Sequence, residues 1–346
     1  MHSIKCLLGI TLTVALWPSM CWAQAQASMN APSVDSSKSS ALSLAAVASS
    51  HRNGAANPEL KKTAPISPRA QLMLMAAAIE NQSYQGTLTY EFGGPLETLA
   101  FEHLVSQQGT EERIRHLSGE PRNFSRSLPQ NYCGNAAARL FMPAGGTPLQ
   151  SLSRYYRFSM IGQNRIADRP VNVIQIQPIH EDRYGFTLGV DQASHLPLML
   201  TITGRRGQVL ERFQFVELNL TKPDFDAPST VRTAQKLPFT QARCQAPLTL
   251  KGWQPSWLPA GFVVASTHAQ ANGHTVMSFT DGLASLSIFV APIAQVTGAV
   301  GVVKRGATVA AMTMAAAGQQ SFKVSVVGEV PPAVARRVAS SVVYQP

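Results

Sequence analysis

From Tyr84 onward apolar side chains return at every second residue, and a chain that keeps this period over most of its length has to be built from sheet. In Tyr84–Phe92 the residues Tyr84, Leu88, Tyr90 and Phe92 share one face, while Gln85, Thr87, Thr89 and Glu91 share the other. Gly93-Gly94-Pro95 turns the chain into a second strand with Leu99, Phe101 and Val105 on one side. Gln108-Gly109 turns it again into Glu111–Leu117, and a fourth strand is expected over Gly119–Ser127. Pro129, Gly134, Pro143, Gly145, Gly146 and Pro148 then interrupt any regular element, so 128–153 reads as loop with short pieces of strand. Alternation resumes in Tyr155–Gln163, Val171–Pro178, Tyr184–Val190, Leu196–Thr203 and Val209–Leu220. This is an antiparallel meander, and a sheet of that size must curl.

One stretch before the meander has the other period. Leu72, Met75, Ala76 and Ile79 recur at helical spacing, behind Ser67 as N-cap and Pro68 in the first turn. The expected fold of residues 68–222 is therefore a large curved sheet wrapped around a single helix. Its concave face, carrying Leu88, Tyr90, Phe92, Leu99, Phe101, Phe186 and Leu188, is either filled by the helix or left open as a lipid-sized groove. The filled core is the default, and the sequence leaves both outcomes open.

Residues 223–250 are proline-rich and poor in branched apolar residues, which reads as an extended linker. Lys251–Phe262 follows, with Trp253 and Trp257 set among Pro255, Pro259 and Gly261. Prolines exclude this segment from a helix interior or a central strand, and the tryptophans need a surface to lie on, so it marks the entry to a second domain. Short strands are expected at Phe262–His268, Thr275–Thr280, Ala284–Ala291, Ala299–Lys304, Thr308–Met314 and Lys323–Gly328. After Pro331-Pro332 a helix should carry Val334, Val338 and Val342 on one side and Arg336 and Arg337 on the other. Residues 251–346 thus form a smaller α+β domain, and the whole chain is of the α+β class.

The first 25 residues pair Lys5 with a short apolar run and an Ala-Gln-Ala site, the pattern of a cleaved secretory signal. Residues 26–67 are rich in Ala, Ser and Asn and are expected to be disordered. Removal of the signal leaves Cys133 and Cys244, and in an oxidising compartment a disulfide is favoured over two buried thiols. A loop that long would contribute about 4–5 kcal/mol by chain entropy. The net charge of +10 is concentrated outside the balanced centre: residues 251–346 hold six basic against two acidic side chains. Such a surface suits an acidic protein or anionic lipid head groups, and the basic residues form no stripe of the kind that grips nucleic acid.

Catalytic patterns are missing. There is no GxSxG elbow, no phosphate-binding glycine loop and no metal-ligand spacing among the eight histidines. His103, between Phe101 and Val105, is expected to be a satisfied core residue. Asp168-Arg169, Asp182-Arg183 and Glu211-Arg212 are expected to be surface ion pairs. The expectation is a non-enzymatic protein with no cofactor and no metal.

Six segments together resemble the RseB/MucB family of periplasmic regulators. They are Tyr155-Tyr156-Arg-Phe158-Ser-Met-Ile-Gly162-Gln-Asn-Arg165-Ile166-Ala167-Asp168-Arg169, Leu196-Pro197-Leu198, Leu210-Glu211-Arg212-Phe213-Gln214-Phe215, Trp257-Leu258-Pro259-Ala-Gly261-Phe262, Thr280-Asp281-Gly282-Leu283-Ala-Ser-Leu-Ser-Ile-Phe289 and Val327-Gly328-Glu329-Val330-Pro331-Pro332. The resemblance runs from about residue 70 to the end. It implies a large domain similar to the lipoprotein-carrier half-barrel, and a linked small domain. It also implies a periplasmic negative regulator of the sigma-E envelope-stress response that binds the periplasmic part of a membrane anti-sigma factor and protects it from proteolysis. Lipopolysaccharide or lipid is the implied releasing ligand. On this reading the concave residues named above are the lipid-binding candidates, and Trp253, Trp257, Lys304 and Arg305 are the partner-binding candidates. The alternative is a periplasmic lipid or lipoprotein carrier, which would need only the large domain. Homo-oligomerisation is left open. The sequence departs from the family in the altered 128–153 segment, in the Ala- and Met-rich Ala307–Gly318, and in the long stretch before Pro68.

Overall fold

The computed structural model describes residues 66–129, 152–223, 235–236, 252–269, 273–293 and 300–345. The expected signal peptide, the segment 26–65, the Cys133–Cys244 disulfide and nearly all of the linker lie outside the described residues. No helix among the described residues is long and apolar enough to cross a membrane.

Helix α1 (Pro68–Asn81) starts where its cap chemistry requires. The Ser67 hydroxyl accepts the Ala70 amide at 3.2 Å, and Pro68 occupies the first turn. Its expected stripe, Leu72, Met75, Ala76 and Ile79, is buried. The meander follows as β1 (Tyr84–Phe92), β2 (Leu96–Ser106), β3 (Gly109–His116), β4 (Asn123–Pro129), β5 (Tyr156–Ile166), β6 (Arg169–Pro178), β7 (Gly185–Asp191), β8 (Pro197–Thr203) and β9 (Val209–Asn219). The two residues of β10 (Gln235–Lys236) add in parallel to β4. The sheet runs β10-β4-β3-β2-β1-β9-β8-β7-β6-β5, so β1 closes onto β9 and joins the two halves of the meander. Bulges at Thr87/Leu88, Met160/Gly162, Gly189/Val190 and Ile202/Thr203 bend the sheet. The concave side of that bend and the buried stripe of α1 form one core.

The small lobe contains a two-stranded ribbon and a six-stranded sheet. The ribbon pairs β11 (Gly252–Pro255) with β18 (Val342–Gln345). The sheet runs β12 (Val263–Ala269), β13 (Thr275–Thr280), β14 (Ser285–Pro292), β17 (Gln320–Gly328), β16 (Thr308–Ala317) and β15 (Gly301–Arg305). Helix α2 (Pro332–Ser340) covers the face carrying Val309, Ala311, Val324 and Val326. Val342 was expected on this helix and instead opens β18. The helix stops where the Ser341 hydroxyl proton is shared between Val338 O (2.8 Å) and Trp257 O (3.1 Å), and the Ser256 N–H donates to Ser341 O (2.8 Å). The proline-rich segment and the chain end thus fasten each other. Pro255 is tolerated in β11 because a two-stranded ribbon has only edge strands.

Candidate binding site at the junction of the two lobes

The seven concave residues are all closed off: Leu88, Tyr90, Phe92, Leu99, Phe101, Phe186 and Leu188 are each no more than 3% exposed and share one core with α1. His103 is likewise enclosed, with Ile79 O at 2.9 Å and Glu112 at 3.1 Å from its two ring nitrogens.

The candidate partner residues separate. Trp253 is buried on β11, edge-on to Phe322 (4.8 Å between ring centroids) and Tyr344 (5.3 Å), and so belongs to the small lobe's own core. Trp257 is half-buried under the Arg337 guanidinium, 3.9 Å from the ring centroid. Lys304 and Arg305 are exposed on β15. Arg305 also lies 4.3 Å over the Phe92 ring, so a residue expected to hold a partner meets one expected to line the hollow.

That contact is the rim of a junction that the lobes build from their turns. Between β6 and β7, Arg183 has no exposed side-chain surface, and its Nε donates to Asp281 Oδ2 at 2.7 Å. The guanidinium also reaches Asp182 (2.7 Å) and the carbonyl of Ala260, and lies against the rings of Tyr155 (4.8 Å) and Phe262 (5.4 Å). Asp281, in the β13–β14 turn, receives the Tyr156 hydroxyl (2.9 Å) and the amides of Leu283 (2.9 Å) and Ala284 (2.8 Å). Its carboxylate therefore organises its own turn and ties down the other lobe. Burial, and after it the Asp281 charge, push the Tyr156 phenol well above its ordinary pKa, which keeps it a donor. For Arg183 burial pulls downward, but the Asp281 charge, the Tyr156 phenol, the hydrogen bond to Asp281 and the Asp182 charge together outweigh it, so its pKa is raised and the guanidinium stays charged.

A second fastening lies on β9. Glu211 is buried; its Oε2 accepts the Tyr90 hydroxyl at 2.8 Å and its Oε1 accepts the Ala307 amide at 2.7 Å. Gly306, at φ +60, makes this approach feasible, because a Cβ there would sit 2.5 Å from Glu211 Oε1. Leu283 and Ala307 complete the insertion by joining the large lobe's core. The Tyr184 hydroxyl is buried nearby without a hydrogen-bond partner; burial, then the charges of Glu211 and Glu329, raise its pKa.

All three of the expected surface ion pairs are corrected by the structure. Asp182 does meet Arg183, yet the arginine is buried and reaches across lobes. Glu211 does not pair with Arg212, because successive strand residues point to opposite faces. Asp168 pairs with Arg165, and Arg169 with Asp191 at 2.7 Å. Sequence reasoning did not single out Arg183, Asp281 or Gly306 as site residues. The one signal for them was a turn composition, Asp-Arg-Tyr-Gly and Thr-Asp-Gly-Leu, which gives no hint of the partner turn. Among the described residues no three His, Cys, Asp or Glu side chains gather closely enough to hold a metal ion.

Comparison with known proteins places the chain. The family model for the MucB/RseB N-terminal domain matches residues 67–241, and that for the MucB/RseB C-terminal domain matches residues 248–343. The chain belongs to the MucB/RseB family. The sigma factor AlgU regulatory protein MucB of Pseudomonas aeruginosa is 30% identical over 281 residues, 78% of this chain and 88% of that protein. The sigma-E factor regulatory protein RseB of Escherichia coli is 27% identical over 204 residues, 57% of this chain and 62% of that protein. The solved complex of Pseudomonas aeruginosa MucA and MucB holds a chain that matches with a TM-score of 0.63 at 27% identity, over 81% of this chain and 99% of that one. A second structure, MucB in complex with MucA(peri), matches with a TM-score of 0.61 at 29% identity, over 80% and 98% of the two chains.

Proposed function

We propose that this protein is a periplasmic negative regulator of a sigma-E-type envelope-stress response, which holds the periplasmic part of a membrane anti-sigma factor and shields it from proteolysis. The observation that carries this reading is the match, over nearly the full length of the solved MucB chain, to MucB bound to MucA. A non-enzymatic role is supported by the use of the junction's polar groups: Asp281 meets four donors and Glu211 two, so both act as fasteners and not as proton carriers. Lys304 and Arg305 are the partner contacts on this reading, and Trp257, under Arg337, is a further candidate in the same basic lobe.

Release by lipopolysaccharide or another acylated lipid belongs to the same proposal. An acyl chain among Leu88, Tyr90 and Phe101 requires α1 to leave, which exposes Leu72, Met75 and Ile79 at a cost of about 5–9 kcal/mol. A lipid must return that much in its own burial, so release by an acylated molecule is favoured over release by a bare head group. The test is a binding and protection assay with the anti-sigma factor's periplasmic segment. The protein should bind it, slow its cleavage by the site-1 protease, and let go when lipopolysaccharide is added. Absence of binding would overturn the reading. Equal displacement by deacylated lipopolysaccharide would remove the acyl-chain part of it.

A further inference from the structure

Four strands form the outer edges of the two large sheets, and three of them are poor templates for another strand. Strand β12 is broken by a bulge between Val264 and Ser266, β5 by one between Met160 and Gly162, and β10 is two residues long. Strand β15 is different. It pairs with β16 in unbroken register from Gly301↔Met312 to Arg305↔Thr308. Its exposed side chains are the β-branched Val303, at 60% of full exposure, and the cations Lys304 and Arg305, and Val300 just before it is 66% exposed. It is also held stiff at its end, since Arg305 lies on Phe92 and the following turn is bound to Glu211 through the Ala307 amide.

Charge selects what such an edge can accept. Both acidic side chains of residues 252–345, Asp281 and Glu329, are buried, whereas Lys304, Arg305, Arg336 and Arg337 are exposed. Among the described residues of the small lobe, every exposed charged side chain is therefore positive. Register assigns the faces: Lys304 pairs with Val309 on the side that α2 covers, and Val303 pairs with Ala310 on the opposite side.

We infer that the open edge of β15 binds the partner by strand addition, taking an extended acidic segment in which carboxylates alternate with β-branched apolar residues. Main-chain bonds to the outward N–H and C=O groups of β15 supply register-independent affinity. Apolar side chains of the added strand meet Val303, and its carboxylates meet Lys304 and the neighbouring arginines. A second copy of this chain is the wrong occupant, because two small lobes brought edge to edge set positive surface against positive surface. The inference rests on the proposed regulatory reading for the identity of the partner, not for the existence of the site.

The experiment uses the mature full-length protein with two probes: the anti-sigma factor's periplasmic segment and a short synthetic peptide alternating glutamate and valine. Val303→Asp and Lys304→Glu lie on exposed positions and leave the fold intact; Val263→Asp on the bulged β12 edge is the control. Each β15 variant should weaken the partner segment by about tenfold or more while the control stays within about twofold. Hydrogen exchange at the amides of Gly301–Arg305 should slow when either probe binds. If the segment binds and the β15 variants bind equally well with unchanged exchange, strand addition is overturned and the regulatory reading stands. If the segment fails to bind while the peptide protects β15, the regulatory reading falls and the edge site stands. Binding of neither probe removes both. A wild-type dimer that Val303→Asp converts to monomer would make the edge a self-pairing surface and overturn the inference.

Discussion

At the scale of single residues the molecule depends on two carboxylates that neighbouring sequence would have assigned to the surface. Asp281 and Glu211 are each buried, and each serves two lobes at once. A charge in such a place is tolerable only while its partners remain, and removing one partner of a buried pair costs about 3–5 kcal/mol. Arg183→Met is therefore expected to lower the unfolding free energy by about that amount. Asp281→Asn keeps the acceptor for the Leu283 and Ala284 amides and should cost less. The double variant should be less damaged than the sum of the two, with a coupling of about 1–3 kcal/mol in a denaturation cycle. Strict additivity would show that the two side chains do not act as a pair.

At the scale of elements, turns decide more than strands. The β7–β8 turn is held by Asp191, which accepts Arg169 through both oxygens (3.0 and 2.7 Å) as well as the Ser194 amide (2.8 Å) and hydroxyl (2.6 Å). Burial pushes this carboxyl upward, but the bonds from Arg169 and Ser194 outweigh it and hold its pKa below the usual value. The unfolded chain therefore takes up the proton first as pH falls. The stability from this turn is complete above about pH 4 and is lost as the pH drops through the lower folded value. Asp191→Asn should weaken the protein at neutral pH and flatten the acid limb of its stability curve, read from urea midpoints between about pH 6 and about pH 3. An acid limb identical to that of the wild type would refute the assignment.

At the scale of the whole molecule, the two lobes behave as one unit because a turn of each enters the other's territory. The described residues from Ser67 onward belong to a single compact body by their contacts, even though two family models divide them. Gly306 is the tightest point of that insertion. Gly306→Ala combines a left-handed backbone with a clash against Glu211 and should cost at least about 1–2 kcal/mol. Its wider effect should be to loosen the lobes, seen as faster proteolytic separation of the two halves and a larger radius of gyration. A variant as compact and as resistant as the wild type would place the coupling elsewhere, in the Arg183–Asp281 pair alone.

The sequence by itself determined the local part of this structure. Period-two alternation, the Ser67–Pro68 helix start and the glycine-rich turns fix which residues form strands and which face is buried, because those are properties of neighbours along the chain. The family resemblance was legible for the same reason, since its motifs lie in strands and turns. What only the tertiary structure decided is which turns meet. Arg183 and Asp281 are 98 residues apart, and Glu211 and Ala307 are 96 apart. Their encounter depends on the curl of one sheet, the register of the other and a glycine small enough to let them touch. The pairing of β11 with β18 was hidden likewise, because a short ribbon strand acquires its partner only when the first and last strands of the small lobe are brought together. No local pattern encodes those distances, so the chain announces its sheets and conceals the fastening between them.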